Sequence, residues 1–350
     1  MTNVDIDSRY FIDYSRQIAK GTDSIVRKCI DRKTNKRYAV KTISKFRCQQ
    51  IEQLRNEIQL LQELDHSHVL SIVDFYEDSN YLHLVSEYCK GGEVFAHMVN
   101  GKDTKVFPEK EAVSIVKQVL EAVSYLHGRN IVHRDLKLEN ILFKTKKKDQ
   151  VTLIDFDLAT KHDEEKDEPL TQECGSLYYV SPEVLAHKYG KSCDVWAIGI
   201  VTYILLFGRV PFFGESNEIT LMKIRAQDVI FPNNTKVSHE AQDFIKFALQ
   251  KDPSDRATID KLCEHPWVCT FGSDTDTPEI SQFKTKNTNT REQKTSILKF
   301  WTSKFFLRKE KKKDVPMKVM TSHTAHTEQL SHFWLLFFET LRYNNTIKIL

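Results

Sequence analysis

One stretch of the chain decides the fold: His133-Arg134-Asp135-Leu136-Lys137-Leu138-Glu139-Asn140, followed fifteen residues later by Asp155-Phe156. Asp135 offers a carboxylate that can accept a hydroxyl proton, and Lys137 can neutralise charge on a transferring phosphoryl group. Asn140 and Asp155 offer the hard oxygen ligands that Mg²⁺ prefers. Phosphoryl transfer needs positioning and charge stabilisation more than covalent help, and this stretch supplies both. A surface β-hairpin with an incidental charge cluster would not explain the spacing, so we interpret the stretch as a phosphoryl-transfer loop.

Length and composition are those of an ordinary globular protein. The chain has 350 residues, of which 40% are apolar and 28% charged, and its formal net charge is +3. This length is enough for one bilobal domain, or for two ordinary domains and a tail. The net charge is too small to indicate a nucleic-acid partner.

Three features of the sequence bear on the compartment. The first residues have no basic start and no apolar core, so we expect no secretory signal. The longest apolar run, Phe333 to Phe338, is far shorter than the roughly 20 residues of a membrane-spanning helix. The cysteines lack the paired spacing of a disulfide framework or a zinc site: Cys29, Cys48, Cys89, Cys174, Cys193, Cys263 and Cys269. We therefore expect an intracellular location, cytoplasmic or nuclear, and no transmembrane segment.

Apolar periodicity divides the chain into two unlike parts and a tail. Residues 10–86 contain short β-prone runs and one helix over 51–64. Residues 92–268 are mainly helical, with an amphipathic helix over 109–127 and a nearly all-apolar, buried helix over 195–207. From about residue 270 the composition shifts to Thr, Asn, Ser, Asp and Gln, which is typical of a linker.

Residues upstream of the phosphoryl-transfer loop have the order expected of a nucleotide site. The segment from Ile18 to Val26 stands where a glycine-rich strand-turn-strand would cover phosphates. Lys41 follows on the next predicted strand, and Glu57 lies on the helix after it. A lysine that holds phosphates needs an anion to fix it, and Glu57 is well placed to supply one.

Downstream residues add candidates for structural contacts. Glu183 and Arg256 are candidates for a buried ion pair, and Asp194 is a candidate for bracing the phosphoryl-transfer loop. In this order and spacing, the motifs of residues 10–268 resemble the eukaryotic protein Ser/Thr kinase family. The motifs most similar to its calcium/calmodulin-dependent kinase group are Cys174-Gly175-Ser176, Gly91-Gly92-Glu93, Asp194-Val195-Trp196-Ala197-Ile198-Gly199 and His265-Pro266-Trp267.

The resemblance implies an α+β, bilobal protein kinase fold. A small β-rich N-lobe would span 10–86 and a larger helical C-lobe 90–268, after an N-terminal extension of residues 1–9. Residues 269–350 would form a partly disordered C-terminal tail, which is a candidate regulatory segment. The implied function is the ATP- and Mg²⁺-dependent transfer of a phosphoryl group to Ser or Thr of protein substrates, because Lys137 is typical of kinases with these acceptors.

The resemblance also implies a role for each matching residue. The implied catalytic residues are Asp135, Lys137, Lys41 and Glu57, and the implied magnesium ligands are Asn140 and Asp155. The implied ATP-binding residues are Ile18, Ala19, Gly21, Ser24, Val26, Ala39, Lys41, Glu87, Cys89, Glu93 and Leu142. The residues expected to stack as a hydrophobic spine between the lobes are Leu61, Ile72, Phe156 and His133. Glu93 and Glu139 resemble positions that recognise a basic residue upstream of the phosphoacceptor; the alternatives are a ribose contact and a solvated carboxylate.

The chain departs from the family pattern around the nucleotide. The glycine-rich loop keeps Gly21 but has Ala19 and Ser24 at the other glycine positions, which should weaken ATP binding modestly. Asp157 replaces the glycine expected after Asp155-Phe156, as in the MAP-kinase-interacting kinases, where this triplet favours a withdrawn conformation. Asp157 is therefore either a bias toward a resting state or a tolerated substitution. Ser86, at the gatekeeper position, predicts an open pocket behind adenine.

The activation segment, from Leu158 to Val180, also departs from the family pattern. Gln172 stands where a phosphorylated threonine is usual, and Thr171 precedes it. Arg134 would normally pair with a phosphate there. Either Thr171 is phosphorylated in a slightly shifted loop, or the acidic run from Asp163 to Glu168 partly substitutes for the phosphate. A solvated loop is the simplest interpretation of that run.

Two alternatives stay open at the level of the whole chain. The basic, aromatic segment 297–313 is a candidate for calmodulin binding, with a nuclear address or an anionic-lipid patch as alternatives for its lysines. The rival to an active enzyme is a pseudokinase that acts as a nucleotide-binding scaffold. The presence of the catalytic residues and the magnesium ligands together favours the enzyme.

Overall fold

The structure is a computed structural model that describes residues 5–21, 24–46, 51–100, 103–233 and 235–271. The predictions for residues 272–350, including calmodulin binding by 297–313, lie outside the described residues. Within these residues, no helix combines the length and apolarity needed to cross a membrane.

The N-terminal lobe is built on an antiparallel sheet. Its strands are β1 (Tyr10–Ile12), β2 (Ala19–Lys20), β3 (Ser24–Asp31), β4 (Arg37–Ser44), β5 (Ile72–Glu77) and β6 (Tyr81–Glu87), and its helices are α1 (Ile6–Arg9) and α2 (Ile51–Gln62). The strand order is β1-β3-β4-β6-β5, and β2 pairs with the N-terminal part of β3. Ile6 of α1 is buried in one cluster with Tyr10 and Ile12, so the folded lobe includes part of the stretch predicted to be an N-terminal extension.

The C-terminal lobe is mainly helical, as predicted. Its helices are α3 (Val94–Met98), α4 (Glu109–His127), α5 (Ser192–Phe207), α6 (Asn217–Ala226), α7 (His239–Ala248), α8 (Ile259–Cys263) and α9 (Pro266–Phe271), with a 3₁₀ turn over Leu138–Asn140. Its short strands are β7 (Gly92–Glu93), β8 (Val99–Asn100), β9 (Asp103–Thr104), β10 (Ile131–Val132), β11 (Ile141–Phe143), β12 (Val151–Leu153) and β13 (Thr160–Lys161). The strands β10 to β13 flank the phosphoryl-transfer loop on both sides in sequence and fix where it begins and ends.

The two central helices follow directly from the sequence pattern. Helix α4 has the bounds predicted from its 3.6-residue periodicity, and its apolar face is buried. Helix α5 is apolar on all sides and is buried almost throughout. It ends at Gly208, whose φ of 69° is the left-handed conformation that suits glycine at a helix C-terminus. Helix α5 is therefore part of the core of the C-terminal lobe, and its residue Asp194 contacts the phosphoryl-transfer loop.

Three residues of the predicted hydrophobic spine, Leu61, His133 and Phe156, are buried, and the fourth, Ile72, is partly buried. Phe156 is 1% exposed, and its ring lies 4.8 Å from that of His133. Leu61 is buried in the same apolar core, and Ile72 packs against that core. Phe156 is therefore packed in the core, whereas its neighbours Asp155 and Asp157 both direct a carboxylate toward Nζ of Lys41.

Candidate active site

The carboxylate of Asp135 lies at the centre of a hydrogen-bonded cluster. The side chain of Lys137 donates to Oδ2 of Asp135, and Nδ2 of Asn140 donates to the backbone oxygen of Asp135 at 2.9 Å and to its Oδ2 at 3.2 Å. The hydroxyl of Ser176 donates to Oδ1 at 2.9 Å and accepts from Nζ of Lys137 at 3.2 Å. Burial alone would lower the pKa of Lys137, but the carboxylates of Asp135 and Glu139 outweigh it and raise that pKa. A fixed carboxylate beside a permanent cation can accept a proton and stabilise negative charge.

Asp194 holds this loop from below, which confirms its predicted bracing role. Its carboxylate accepts the backbone N–H groups of His133 and Arg134, each at 2.9 Å, and Nε2 of His127 at 2.9 Å. Burial would raise the pKa of Asp194, but these hydrogen bonds and the nearby histidines lower it. Arg134 has a φ of 67°, which is strained for a residue with a side chain, so the paired acceptors stabilise an otherwise costly backbone.

Asp155 and Asn140 are compatible with a hard divalent cation. Oδ1 of Asp155 is buried, and no hydrogen-bond donor among the described residues reaches it. Burial raises the pKa of Asp155 to about 7, and the neighbouring carboxylate of Asp157 adds to the shift. The amide nitrogen of Asn140 is used in holding Asp135, which leaves its carboxamide oxygen as the atom able to bind a cation. A buried carboxylate oxygen without a hydrogen-bond donor and a carboxamide oxygen are both ligand types that suit a hard divalent cation.

Lys41 reaches from strand β4 to the loop that contains these carboxylates. Its Nζ lies 2.6 Å from Oδ1 of Asp157 and 3.8 Å from Oδ1 of Asp155. The lysine predicted to hold phosphates is therefore in contact with the residue that replaces the expected glycine. Asp157 is not among the described residues with positive φ, so an aspartate there costs no left-handed strain.

The sheet register brings the predicted nucleotide-binding residues onto one face. Val26 pairs with Lys41 across β3 and β4, and Ala39 pairs with Ser86 across β4 and β6. Paired residues point to the same side of a sheet, and residues two apart on one strand do so as well. Val26, Ala39, Lys41 and Ser86 therefore share a face.

The strand-turn-strand that precedes this face is formed as predicted. The backbone N–H of Ile18 donates to Val26 at 2.8 Å, and that of Gly21 donates to Ser24 at 2.9 Å. Ala19 stands opposite Val26 in the β2–β3 ladder. These contacts fold the segment back over β3, although Thr22 and Asp23 at its tip lie outside the described residues.

The segment after β6 connects the two lobes. Oε1 of Glu87 lies 3.0 Å from Nζ of Lys144, and burial raises the pKa of the Cys89 thiol to about 12, so this thiol stays protonated. Glu93 on β7 pairs with Leu142 on β11. The predicted contacts for adenine and ribose thus lie on neighbouring backbone segments.

Glu57 lies in α2, but its side chain is outside the described set, so its pairing with Lys41 stays a prediction.

Ser176 is the site residue that the sequence reasoning did not single out. It lies 41 residues after Asp135 and bonds to both Asp135 and Lys137. The only sequence signal was its place in Cys174-Gly175-Ser176, which served to recognise the family and not to assign a role. Glycine at position 175 lets the segment before Ser176 pass close to the phosphoryl-transfer loop. Its φ is +106°, and a Cβ there would lie 3.0 Å from the backbone oxygen of Arg134.

The two predicted regulatory residues, Arg134 and Thr171, line the same cavity, but the Arg134 side chain donates its hydrogen bonds to other described residues. Arg134 donates to the backbone oxygen of Leu158 at 2.5 Å, to the hydroxyl of Tyr189 at 3.2 Å and to the side-chain oxygen of Gln172 at 3.4 Å. Thr171 and Arg134 line one cavity of about 640 Å³ between α2 and the activation segment.

The predicted ion pair below the site is confirmed. The Glu183 carboxylate and the Arg256 guanidinium face each other through two hydrogen bonds, one of which, from Nη2 to Oε2, is 2.9 Å long. The side chain of Arg256 is 0% exposed. This buried pair fixes the turn that follows the activation segment to the loop before α8.

Comparisons with known proteins identify the family of the chain. A family profile described as "protein kinase domain" matches residues 12–268. Calcium-dependent protein kinase 5 of Plasmodium berghei (strain Anka) is 36% identical over 274 residues, which are 77% of this chain and 48% of that protein. A probable myosin light chain kinase of Dictyostelium discoideum is 36% identical over 277 residues, which are 79% of this chain and 86% of that protein.

A third relative, calcium-dependent protein kinase 4 of Plasmodium falciparum (isolate 3D7), is 37% identical over 258 residues, or 72% of this chain and 48% of that protein. The chain thus matches about half the length of these calcium-dependent relatives and most of the myosin light chain kinase. The matched region coincides with the two lobes and contains every residue of the cluster around Asp135. The chain belongs to the protein kinase family, in its calcium/calmodulin-dependent group.

Proposed function

We propose that the chain is an active protein Ser/Thr kinase that uses ATP and Mg²⁺. The observation that carries the proposal is the cluster in which Lys137, Asn140 and Ser176 fix the carboxylate of Asp135. A carboxylate held in one orientation can accept the proton of an approaching Ser or Thr hydroxyl as the phosphoryl group leaves the nucleotide. Lys137, bonded to the same carboxylate, is positioned to neutralise the charge that develops on the transferring group.

The nucleotide and the cation would be held by the residues to which the family resemblance gives these roles. Val26, Ala39 and Leu142 would enclose adenine, and Lys41 would bind the α- and β-phosphates. Asn140 and Asp155 would hold Mg²⁺, which when bound supplies positive charge against the phosphate oxygens. Oδ1 of Asp155 supports this assignment, because it is buried without a hydrogen-bond donor among the described residues, and its nearest cation, Nζ of Lys41, is 3.8 Å away.

A basic residue upstream of the phosphoacceptor would be recognised by Glu93 and Glu139. The Glu139 carboxylate accepts the hydroxyl of Tyr179 at 3.2 Å, which fixes its orientation beside the catalytic loop. A peptide series in which each upstream position is Arg or Ala tests this preference. Glu139→Gln should reduce it without changing nucleotide affinity, and Glu93→Gln should reduce both the preference and, through the ribose contact, the affinity for ATP. Equal use of all peptides by the unmodified protein would contradict the preference.

The alternative function is a nucleotide-binding scaffold without phosphoryl transfer. Both functions are tested with Asp135→Asn, using Asp260→Asn on the exposed side of α8 as the matched control. An enzyme should lose about 10²- to 10⁴-fold in kcat in Asp135→Asn while its ATP affinity stays similar, because only the proton acceptor is removed. Absence of phosphoryl transfer in the unmodified protein, together with intact ATP binding, would establish the scaffold instead.

We propose in addition that segment 297–313 binds calmodulin and that the protein is intracellular. The relatives named calcium-dependent protein kinases are the reason to test calcium. Titration of the full chain with calcium-loaded calmodulin, beside a variant that lacks 297–313, tests the first of these. Equal affinity of both proteins would exclude this segment as the binding site.

A further inference from the structure

The acidic run in the activation segment is folded, although a solvated loop was its simplest interpretation. The backbone oxygen of Asp163 accepts the N–H of Asp167 at 2.7 Å, and Oδ2 of Asp167 accepts the N–H of Asp163 at 2.7 Å. Nζ of Lys166 lies 2.8 Å from Oδ2 of Asp163. Two acids and one lysine of the run thus close it into a compact turn with a defined conformation.

Glu164 projects from this turn onto the start of helix α5. Its Oε1 accepts the backbone N–H of Lys191 at 2.7 Å, and Lys191 is the N-cap residue of α5. The N-terminus of a helix carries partial positive charge and unsatisfied N–H groups, so a carboxylate is a favourable partner there.

Gly190 leaves the space that this carboxylate occupies. A Cβ at residue 190 would lie 2.2 Å from Oε1 of Glu164, closer than two such atoms can approach. Gly190 is not among the described glycines with positive φ, so its backbone does not require glycine. What glycine provides here is room for the Glu164 side chain.

Lys191 also contacts Asn130, which lies shortly before the phosphoryl-transfer loop. Its Nζ donates to Oδ1 of Asn130 at 2.7 Å, and the backbone oxygen of Asn130 accepts the N–H of His162 at 2.7 Å. Asn130 precedes β10, the strand that leads into His133-Arg134-Asp135. A closed ring therefore joins the start of the activation segment, the start of α5 and the approach to the catalytic loop.

Arg134, where a phosphate would be expected to bind, is engaged differently. It donates to the backbone oxygen of Leu158, the hydroxyl of Tyr189 and the amide oxygen of Gln172, all of which are uncharged. The Glu164 carboxylate therefore acts at the Lys191 N–H and not at Arg134.

We propose that Glu164 is a positioning residue that orders the activation segment through Lys191, so that the site assembles without a phosphate on Thr171. We name the contact between the Glu164 carboxylate, Gly190 and the Lys191 N–H the Glu164 clasp. The clasp acts on the first turn of α5, which also contains Asp194, the residue that holds the catalytic loop. This inference rests on the proposed kinase function for its effect on catalysis, but the clasp itself can be measured without activity.

The first experiment measures amide hydrogen exchange in the full chain after phosphatase treatment. Glu164→Ala removes the carboxylate, Gly190→Ala fills its space, and Glu165→Ala is the control at an exposed neighbouring acid. Losing one hydrogen bond to a charged group should speed exchange at the Lys191 N–H by roughly ten-fold or more. The same acceleration is expected for Glu164→Ala and Gly190→Ala, and none for Glu165→Ala. Unchanged exchange at Lys191 in Glu164→Ala would refute the clasp.

The second experiment measures peptide phosphorylation by the same dephosphorylated proteins. Glu164→Ala and Gly190→Ala should each lower kcat/KM by about five-fold, with unchanged ATP affinity, because fewer molecules have an ordered segment. The double variant should be no worse than either single one, since both changes break the same contact. Thr171→Ala should retain the activity of the unmodified protein.

Two outcomes separate failure of the clasp from failure of the kinase function. Activity that needs phosphate on Thr171 and ignores Glu164→Ala would overturn the proposed positioning role. Accelerated exchange in Glu164→Ala, with no phosphoryl transfer by any of the proteins, would support the clasp and reject the kinase function.

Discussion

Oδ1 of Asp194 accepts the backbone N–H of Arg134 at 2.9 Å, one residue before the proposed proton acceptor Asp135. Oδ2 of the same carboxylate accepts the N–H of His133. The loop backbone is therefore pinned by two charge-assisted hydrogen bonds from a residue that is 1% exposed. The position of Asp135 depends on a carboxylate that never touches substrate.

Asp194→Asn should impair catalysis with little effect on substrate affinity. The amide keeps the size of the carboxylate but places an NH₂ group against a backbone donor, and each lost charged hydrogen bond costs about 1.5–3 kcal/mol. We expect kcat to fall at least ten-fold and the melting temperature to decrease. Asp243→Asn is the control, because Asp243 is a largely exposed partner of His265. Equal kcat for Asp194→Asn and the unmodified protein would show that the pinned backbone is not needed.

Asp157→Gly should strengthen nucleotide binding. The carboxylate of Asp157 lies 2.6 Å from Nζ of Lys41 and competes with phosphates for that cation. Both side chains are partly exposed, so the gain should be small, about two- to five-fold in the Kd for ATP. Calorimetry on Asp157→Gly and Asp157→Asn separates the loss of the carboxylate charge from the gain of backbone freedom. Both variants lose the charge, but only Asp157→Gly adds backbone freedom. Unchanged Kd and basal activity in both variants would favour the tolerated-substitution interpretation.

Ser86 should admit bulky purine analogues behind the adenine site. It is 9% exposed on β6, and its small side chain faces the same side of the sheet as Ala39. An analogue with a bulky group at the edge of the purine should therefore inhibit the unmodified protein. Ser86→Phe fills the space and should raise the inhibitory concentration at least ten-fold, while its ATP affinity stays similar. The same inhibition of both proteins would contradict the gatekeeper assignment.

Glu183→Gln should destabilise the C-lobe strongly. The change leaves the fully buried Arg256 guanidinium without its counter-ion, and breaking a buried pair typically costs 3–5 kcal/mol. For a domain of this size we expect the melting temperature to fall by roughly 6–20 °C. Glu111→Gln on the exposed face of α4 is the control. A melting temperature within a degree or two of the unmodified protein would show that the pair does not stabilise the lobe.

The sequence predicted those parts of the fold that depend on local pattern. The bounds of α4 follow from its apolar periodicity, and the burial of α5 follows from the near absence of polar residues between Val195 and Phe207. Asp135, Lys137 and Asn140 lie within six residues of one another, so their proximity could be read directly from the stretch. Chain-local information was sufficient for each of these.

Contacts between distant segments could not be read in the same way. Ser176 meets Asp135 across 41 residues, and Asp157 meets Lys41 across 116, through packing that no spacing rule encodes. Glu164 was one acid in a charged run, and nothing in the sequence distinguished it from Glu165 before α5 and Gly190 were placed beside it. The role of Glu57 stays a prediction.

The activation segment is held at Glu164 and at Leu170 by different forces. Leu170 and Tyr189 exchange two backbone hydrogen bonds, of 2.9 and 3.1 Å, and neither carries net charge. Glu164 binds the Lys191 N–H through an exposed carboxylate, whose charge dissolved ions screen effectively. Rising ionic strength should therefore weaken the contact at Glu164 and leave the Leu170–Tyr189 hydrogen bonds unchanged. The residues near Glu164 should then become mobile at high salt before those near Leu170 do.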